Sequence, residues 1–349
     1  MPFLEAGTEE VLPGLVESGI LVATTRPEPI VDAEVVIVVV GTPVDEHFSP
    51  DIAAVPDTLD SLHPYLRDGQ LLILRSTVYP GVTARVERLL HEAGLRLDVA
   101  FCPERIAEGR ALIELHELPQ IVAGRTESAS RRAAEVFGRL TSKIVYLTPE
   151  EAELAKLFTN TWRYLKFGIA NQLFMIANER GLDFERIRSA LAEDYPRAAD
   201  MPRAGLTAGP CLFKDTMQLA AFHDHNFLLG HAAMMVNEGL PLYMVSRMEE
   251  LYDLPTMTVG ILGMAFKAES DDIRASLSYK LKRILAFRAR EVLTTDPFVT
   301  VDPDLCSLDH VLEHSDVLVI AAPHKAYRTL VTTKPIIDIW DSQGRGVKF

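Results

Sequence analysis

The stretch "AEVVIVVV", Ala33 to Val40, indicates the fold class, because a continuous run of β-branched residues is typical of a strand buried in a parallel sheet. A polar turn, "GTPVDEHFSPD", and a segment with helical spacing follow it. Further strands are predicted at "QLLILRSTV" (Gln70 to Val78), "LDVAFCPER" (Leu97 to Arg105) and "LPQIVAG" (Leu118 to Gly124). Strands that alternate with helices predict a doubly wound parallel sheet.

The rest of the chain predicts a helical region followed by a second, smaller sheet. A long apolar helix is predicted from Pro149 to a C-cap at Gly181, and "FLLGHAAMMVNEGLPLYMVSRMEEL" predicts a second one. Alternation resumes with "MTVGILGMAF", "EVLTTDP", "DVLVIAAPH" and "PIIDIWD". We therefore predict an α/β protein with two doubly wound Rossmann-like domains joined by central helices, divided into residues 1–148, 149–252 and 253–349.

Composition narrows the function classes. The 349 residues carry a formal charge of -14, which disfavours a nucleic-acid partner because phosphate backbones need basic patches. Cys102, Cys211 and Cys306 lie far apart without CxxC spacing, so neither a disulfide framework nor a zinc site is predicted. The histidines have no ligand-like cluster, and we expect no metal. With no signal-like N-terminus and no apolar run of about 20 residues, we expect a cytoplasmic protein without a membrane partner.

Polar or glycine-rich segments follow several predicted strands, where doubly wound sheets bind their ligands. They are "GTP" (Gly41 to Pro43), "RSTVYPG" (Arg75 to Gly81), "CPERIAEG" (Cys102 to Gly109) and "GMAFKAESDDIR" (Gly263 to Arg274). A further loop, "GPCLFKD", places Cys211 close to Lys214 and Asp215. Because a nearby cation favours the reactive thiolate, this context points to a nucleophilic cysteine.

These stretches, with "ELAKLFTNTW", resemble the nucleotide-sugar 6-dehydrogenase family of UDP-glucose, UDP-N-acetylmannosamine and GDP-mannose dehydrogenases. They occur in the family's order, and the resemblance covers essentially the whole chain. It implies an N-terminal NAD-binding domain, a central region that forms a homodimer, and a C-terminal domain for the nucleotide. It also implies two successive NAD-dependent oxidations that convert the C6 alcohol of a nucleotide sugar to a carboxylate.

The resemblance implies roles for particular side chains. Cys211 would add to the aldehyde, giving a thiohemiacetal whose oxidation yields a thioester, as in covalent catalysis generally. Lys156 and Asp215 would hold the water that acts as base. Lys156 and Asn160, four residues apart and so on one helical face, would stabilise the oxyanion. Glu108, assisted by Thr77, would orient the hydrolytic water.

The resemblance also implies two sets of binding residues. Those for NAD are Thr42, Ser76, Thr77, Glu108 and Arg274. Those for the nucleotide sugar are Glu104, Arg203, Gly205, Gly209, Phe266 and Lys267.

Each of these residues could instead have a purely structural role. Cys211 could be an ordinary packed thiol, as we expect Cys102 and Cys306 to be. Lys156 could form a solvated helix pair with Glu153. Glu104 and Glu108 could cap a helix, and Thr77 could be a plain N-cap or turn residue.

The sequence departs from the family pattern at two places. "RAGLTAGPC" replaces paired glycines and an aromatic, and "CPER" favours UDP-N-acetylmannosamine over UDP-glucose as the substrate. No G-x-G-x-x-G follows a strand near the N-terminus, so we expect a truncated first domain that lacks its initial β-α-β and exposes "VVIVVV". Two explanations stay open: a start further upstream, or a shortened chain that binds nucleotide sugar without catalysis. The other alternative is a dehydrogenase that performs a single oxidation. Cys211 speaks against it, because a single oxidation needs no thiol.

Overall fold

The chain divides into two units, each built on its own sheet. The computed structural model describes residues 3–207, 209–347 and 349. The N-terminal unit comprises Glu5–Asn160 and Lys214–Phe227, and the C-terminal unit comprises Thr161–Phe213 and Leu228–Phe349 with residues 3 and 4. The three-part division predicted from the sequence stays a prediction.

Strands occur where most of the alternating segments predicted them. In the N-terminal unit they are β1 (Val35–Val38), β2 (Leu71–Leu74), β3 (Asp98–Phe101), β4 (Gln120–Gly124) and β5 (Ile144–Tyr146). In the C-terminal unit they are β6 (Thr258–Leu262), β7 (Glu291–Thr295), β8 (Val317–Ile320) and β9 (Ile336–Ile337).

Helices connect these strands and fill the predicted central region. Those of the described residues are α1 (Thr8–Glu17), α2 (Ala54–Leu62), α3 (Val82–Glu92), α4 (Ala111–Glu117), α5 (Glu127–Phe137), α6 (Pro149–Glu179), α7 (Phe184–Ala192), α8 (Leu212–Phe222), α9 (Leu228–Leu251), α10 (Leu277–Leu285), α11 (Leu308–His314) and α12 (Lys325–Arg328). Short 3-10 helices lie at Glu28–Asp32, His63–Tyr65 and Leu254–Thr256.

The first sheet has the order β1-β2-β3-β4-β5, and β1 to β3 are parallel. Strand β2 is buried along its whole length because both faces of the sheet are covered. Leu72 and Leu74 pack into the core on one face, and Leu71 and Ile73 pack into the core on the other. Alternate residues thus face two different cores, so every position of the strand is apolar and the sequence shows a continuous apolar run. The buried parallel strands confirm the predicted fold class.

Two strands of this sheet depart from the simplest prediction. The predicted fourth strand forms as β4, but it runs antiparallel to β3 and parallel to β5. Strand β5 was not predicted, since it has only three residues and two of them, Val145 and Tyr146, are exposed. Such a strand lacks the apolar pattern that marks a buried one.

Strand β1 lies at one edge of the sheet within the described residues, where it pairs with β2 alone. Its apolar side chains are unevenly covered: Val36 and Val38 are buried, whereas Ile37 is 45% exposed and Val39, just after the strand, is 68% exposed. The family's G-x-G-x-x-G motif does not occur in the 349-residue sequence.

The second sheet has the order β7-β6-β8-β9, and all its strands are parallel. Strand β6 is therefore flanked by β7 and β8. Val317 and Val319 of β8 face the larger core, and Leu318 and Ile320 face the other side. The carboxyl ends of β6, β7 and β8 meet at one edge of the sheet, which is where this architecture binds ligands.

Helices α6 and α9 pack closely in the C-terminal unit. A Cβ at Gly168 would lie 3.0 Å from the Cβ of Ala233, so glycine permits this approach. Asn171 donates from Nδ2 to Oδ1 of Asn237 at 2.9 Å inside the contact. Helix α6 ends before Gly181, whose φ of 65° is that of the predicted C-cap. No helix among the described residues is long and apolar enough to cross a membrane.

Candidate functional site

The ends of β1 and β2 are joined by hydroxyl side chains. Ser76 Oγ accepts a hydrogen bond from the Val40 backbone N–H at 2.7 Å. Thr42 Oγ1 donates to the backbone oxygen of Thr77 at 2.6 Å. The bond to Ser76 uses an oxygen lone pair, so the hydroxyl hydrogen of Ser76 can be donated to a ligand.

A buried cluster of polar side chains lies beside this edge. Asp215, in the first turn of α8, is 0% exposed. Its Oδ2 accepts from Asn160 Nδ2 at 2.5 Å, and its Oδ1 forms an ion pair with Lys214 Nζ at 2.7 Å. Lys214 Nζ also lies 3.4 Å from Thr42 Oγ1. We call Thr42, Asn160, Lys214 and Asp215 the Asp215 cluster.

The sequence patterns did not indicate the contacts of two residues in this region. Lys214 was not assigned as a partner of Asp215, although the two form an ion pair. Gln218 is buried and donates from Nε2 to the backbone oxygen of Thr42 at 3.2 Å. The two are four residues apart on α8, and that spacing on a helical face was the available signal.

Glu153 connects α6 to the beginning of α3. Its carboxylate accepts from the backbone N–H groups of Gly81 at 2.7 Å and Thr83 at 2.8 Å, and from the Thr83 hydroxyl at 2.6 Å. Because Glu153 is buried and serves as a helix N-cap from a distance, the solvated pair with Lys156 is not the role of this glutamate. Lys156 lies half-buried on α6, one turn further along.

The "CPERIAEG" loop after β3 is held by several carboxylates. Glu104 forms an ion pair with buried Arg75 and accepts from the N–H groups of Arg105 and Ile106. The Glu114 and Glu5 carboxylates accept from the backbone at Ala107, Gly109 and Ala111, on either side of Glu108. Glu104 thus orders the segment directly after β3, whereas the first residue of α4, Ala111, donates to Glu5, so Glu104 does not cap this helix. Glu108 is half-buried within this ordered loop.

The three cysteines differ in burial. Cys211, which immediately precedes α8, is exposed, so the packed-thiol alternative does not describe it. Cys102 is fully buried, and that burial raises the pKa of its thiol to about 12. Cys306 is partly buried against a core cluster of the C-terminal unit. Cys102 and Cys306 are therefore packed residues, as predicted.

The glycines of the predicted sugar loop are explained by close packing. Gly209 has a φ of 107°, and a Cβ there would lie 2.6 Å from the Phe266 ring. A Cβ at Gly205 would lie 2.1 Å from the Trp340 ring. Arg203 donates to the backbone oxygens of Trp340 and Asp341 and lies 3.3 Å from the Glu185 carboxylate. These contacts fix the loop that precedes Cys211.

Lys267 and Arg274 lie in the loop between β6 and α10. The Lys267 Nζ is 5.2 Å from the centre of the Phe266 ring. Arg274 forms an ion pair with buried Asp272 at 2.7 Å, and its guanidinium lies 4.1 Å from the centre of the Phe3 ring. Half of the Arg274 side chain stays exposed to solvent.

Each unit contains some of the predicted site residues. The N-terminal unit contains Thr42, Ser76, Thr77, Glu104, Glu108, Lys156, Asn160 and Asp215. The C-terminal unit contains Arg203, Gly205, Gly209, Cys211, Phe266, Lys267 and Arg274. Among the described residues, no group of three or more His, Cys, Asp or Glu side chains could hold a metal ion.

The donor set at the first sheet suits part of a dinucleotide. The hydroxyls of Thr42, Ser76 and Thr77 follow two adjacent parallel strands at the ligand-binding edge of the fold, and Ser76 can donate its hydroxyl hydrogen to a cofactor hydroxyl or carbonyl there. The sequence contains no G-x-G-x-x-G turn of the kind that binds a pyrophosphate. Thr42, Ser76 and Thr77 therefore fit one portion of the cofactor.

Comparison with known proteins agrees with this arrangement. Residues 1–141 match the NAD binding domain of the UDP-glucose/GDP-mannose dehydrogenase family, residues 150–239 its central domain and residues 260–342 its UDP binding domain. A UDP-N-acetyl-D-mannosamine dehydrogenase of Methanocaldococcus jannaschii is 31% identical over 322 residues, which cover 90% of this chain and 74% of that protein.

Two solved structures have the same fold. The UDP-glucose dehydrogenase of Pyrobaculum islandicum superposes with a TM-score of 0.90 at 27% identity, covering 99% of this chain and 86% of that one. The UDP-D-ManNAc dehydrogenase of Pyrococcus horikoshii gives 0.87 at 26% identity, covering 97% and 88%.

An NAD binding domain and a UDP binding domain on either side of a central domain define an NAD-dependent oxidoreductase that acts on nucleotide sugars. The chain belongs to the UDP-glucose/GDP-mannose dehydrogenase family. The resemblance predicted from the sequence is thereby confirmed.

Proposed function

We propose that the chain oxidises the C6 alcohol of UDP-N-acetylmannosamine to the carboxylate through a covalent intermediate on Cys211. The observation that carries the covalent route is the exposed thiol of Cys211, in contrast to the buried thiol of Cys102. One oxidation needs no thiol, whereas an aldehyde must become tetrahedral before a second hydride can leave.

The first oxidation removes a proton and a hydride from the C6 alcohol. NAD supplies the hydride acceptor for this step and for the second oxidation. Asp215 and Lys156 hold the water that takes the hydroxyl proton, and Asn160 keeps the Asp215 carboxylate in place. Lys214 pairs with the same carboxylate at 2.7 Å and helps to fix its position.

The second oxidation and the hydrolysis depend on Cys211. Its thiolate adds to the aldehyde carbon, and the carbonyl oxygen becomes an oxyanion that Lys156 and Asn160 stabilise. Loss of hydride from this thiohemiacetal leaves a thioester. Water positioned by Glu108 and Thr77 attacks the thioester, the carbon–sulfur bond breaks, and the acid is released with the thiolate regenerated.

The proposal also assigns the residues that bind the cofactor and the nucleotide sugar. Thr42, Ser76, Thr77, Glu108 and Arg274 contact NAD, and Lys267 with Phe266 binds the nucleotide. Arg203, Gly205 and Gly209 shape the sugar loop, and Glu104 keeps the "CPERIAEG" loop ordered. The first relative described above supports UDP-N-acetylmannosamine as substrate, and the Pyrobaculum islandicum structure keeps UDP-glucose as the second candidate.

A homodimer through the central helices is part of the proposal. Trp162, Ile169 and Ile176 recur every seven residues along α6, and all are more than half exposed. Leu228, Met235 and Leu242 recur with the same spacing along α9, and they too are more than half exposed. Side chains seven apart share one helical face, so each helix presents an apolar row that a second copy would cover.

The experiment is a substrate panel followed by stoichiometry. UDP-N-acetylmannosamine, UDP-glucose and GDP-mannose are incubated with the protein and NAD, and NADH absorbance is followed. We expect UDP-N-acetylmannosamine to give the fastest NADH release of the three, with two NADH formed for each uronate. One NADH per product would remove the covalent second oxidation from the proposal.

Calorimetric titrations with NAD and with UDP-N-acetylmannosamine show whether an inactive protein still binds its ligands. Binding of both NAD and UDP-N-acetylmannosamine is expected. If the nucleotide sugar binds and NAD does not, the chain acts as a nucleotide-sugar-binding protein, and the proposed reaction is wrong for this chain.

A further inference from the structure

The loop between β6 and α10 is fixed from both sides by residues at the ends of the neighbouring strands. Strand β6 lies between β7 and β8, so side chains that follow β7 and β8 can reach the residues that follow β6. Asp296 comes directly after β7, and His324 comes four residues after β8. Both side chains are 0% exposed.

Asp296 holds the first part of this loop. Its Oδ2 accepts from the backbone N–H groups of Met264 at 2.6 Å and Ala265 at 2.9 Å. Its Oδ1 accepts from Phe298 at 2.8 Å and Val299 at 3.1 Å, which fixes the carboxylate itself. These bonds satisfy both oxygens of a buried carboxylate.

His324 joins Asp296 to the middle of the loop. Its Nε2 lies 3.1 Å from Asp296 Oδ2, and its Nδ1 lies 3.0 Å from the backbone nitrogen of Glu269. A backbone N–H can only donate, so Nδ1 is the acceptor and the ring proton is on Nε2, directed to Asp296. The geometry therefore fixes one neutral tautomer.

Glu269 is the residue that most needs this support. Its φ of 55° lies in the left-handed region, which a residue with a Cβ adopts at a cost. Its carboxylate accepts from the Lys325 backbone N–H at 2.8 Å, adjacent to His324. The strained residue is thus held by its own N–H and by its side chain, both from the segment after β8.

We propose that His324 and Asp296 are positioning residues that hold the loop of Phe266, Lys267 and Arg274 in the conformation that binds the nucleotide. The inference rests on the proposed function, in which that loop contacts UDP and NAD. The pair acts through the backbone of residues 264, 265 and 269 and does not itself touch the substrate. Glu269 lies between Lys267 and Arg274, so its displacement moves both cations.

Two amide variants separate the two contacts of the imidazole. His324→Asn retains an acceptor oxygen where Nδ1 lies, facing Glu269, but loses the contact with Asp296. His324→Gln places an amide nitrogen near the position of Nε2, so it keeps the donor to Asp296 and loses the acceptor for Glu269. His310→Gln is the matched control, because His310 is exposed on α11 in the same unit.

The test is calorimetric titration with UDP on the full chain, below the melting temperature of each variant. His324→Gln should raise the UDP dissociation constant about tenfold, the factor that corresponds to one hydrogen bond of ~1.4 kcal/mol. His324→Asn should raise it by less, about threefold, and His310→Gln should leave it unchanged. In NADH assays, KM for the nucleotide sugar should rise while kcat at saturation changes little.

Hydrogen exchange gives a measurement that needs no ligand. Peptides that contain residues 264–274 should exchange faster in His324→Gln than in the unmodified protein. A variant that is folded, binds UDP normally and shows unchanged exchange overturns the inference alone. Absence of UDP binding by the unmodified protein overturns the proposed nucleotide contact together with it.

Discussion

Asn160 on α6 donates a 2.5 Å hydrogen bond to the buried carboxylate of Asp215 on α8, 55 positions further along the chain. The other oxygen of the same carboxylate pairs with Lys214, so amide and cation hold the group from two sides. A carboxylate held in a fixed position is what the proposed first step needs, because it orients the water that takes the hydroxyl proton.

Asp215→Asn should lower kcat by about a hundredfold or more, within the range of general acid–base contributions, and change KM for the nucleotide sugar only a few fold. Asn has the same shape but does not bind a proton at neutral pH. Steady-state NADH assays measure both constants, and Asp60→Asn, an exposed carboxylate on α2, is the control. Unchanged kcat in Asp215→Asn would contradict the role.

Glu153→Ala should destabilise the protein by about 2–3 kcal/mol, since a buried cap and three hydrogen bonds to Gly81 and Thr83 are lost. Glu153→Gln should cost less because one acceptor oxygen is retained. Urea unfolding measures the difference, with Glu135→Ala, exposed on α5, as the control. Equal stability of all three variants would mean that α3 begins without help from α6.

Sequence patterns predicted the parts of the fold that depend on local order. Continuous apolar runs marked β2 and β6, because burial on both faces of a sheet leaves no polar alternation. The long apolar segment before Gly181 marked α6. Strand direction is different: nothing in "LPQIVAG" distinguishes a parallel from an antiparallel neighbour, so the direction of β4 was not predictable. Contacts such as Glu153 with Thr83, 70 residues apart, are decided by tertiary packing.

The candidate site likewise includes contacts that local sequence patterns do not predict. Cys211, Asp215 and Asn160 were assigned because the resemblance marks them, and their roles stay predictions. Glu104 was considered as a helix cap from its position after a strand, but the first residue of α4 bonds Glu5 instead. The pairing of Lys214 with Asp215 was not predicted, because a lysine next to an aspartate in sequence can equally well point to solvent. The roles of His324 and Asp296 needed the strand order β7-β6-β8, which no local pattern contains.

Thiol labelling should distinguish Cys211 from Cys102. At pH 8 the native protein should react with iodoacetamide at exposed Cys211, whereas Cys102 stays a protonated, buried thiol because burial raises its pKa to about 12. Peptide mass spectrometry before and after unfolding in urea measures both sites. Rapid labelling of Cys102 in the native state would contradict its burial.

Met235→Lys should convert a dimer to a monomer, because a charge in the middle of the apolar row on α9 cannot be covered by a second copy without desolvation. Light scattering coupled to size exclusion measures the mass. Val331→Lys is the control, since Val331 is 88% exposed but lies outside both apolar rows. If Met235→Lys and the unmodified protein have the same mass, the row on α9 is not the interface.

The Asp296 carboxylate predicts a specific acid sensitivity. Burial alone would raise its pKa, but the hydrogen bonds from His324 and Ala265 outweigh it and lower the pKa from 3.8 to about 2. A group whose pKa is lower in the folded state stabilises that state above its unfolded value, and the stabilisation is lost as pH falls through the folded value. The contribution is therefore full above about pH 4 and disappears toward pH 2.

Asp296→Asn removes this ionisation and should lose on the order of 2 kcal/mol of unfolding free energy at pH 7. The gap between the variant and the unmodified protein should narrow as pH falls from 4 toward 2, because protonation brings the unmodified Asp296 to a similar uncharged state. Urea unfolding at pH 7, 4 and 2.5 measures the gap. A gap that stays constant over this range would show that the charge of Asp296 does not support the loop after β6.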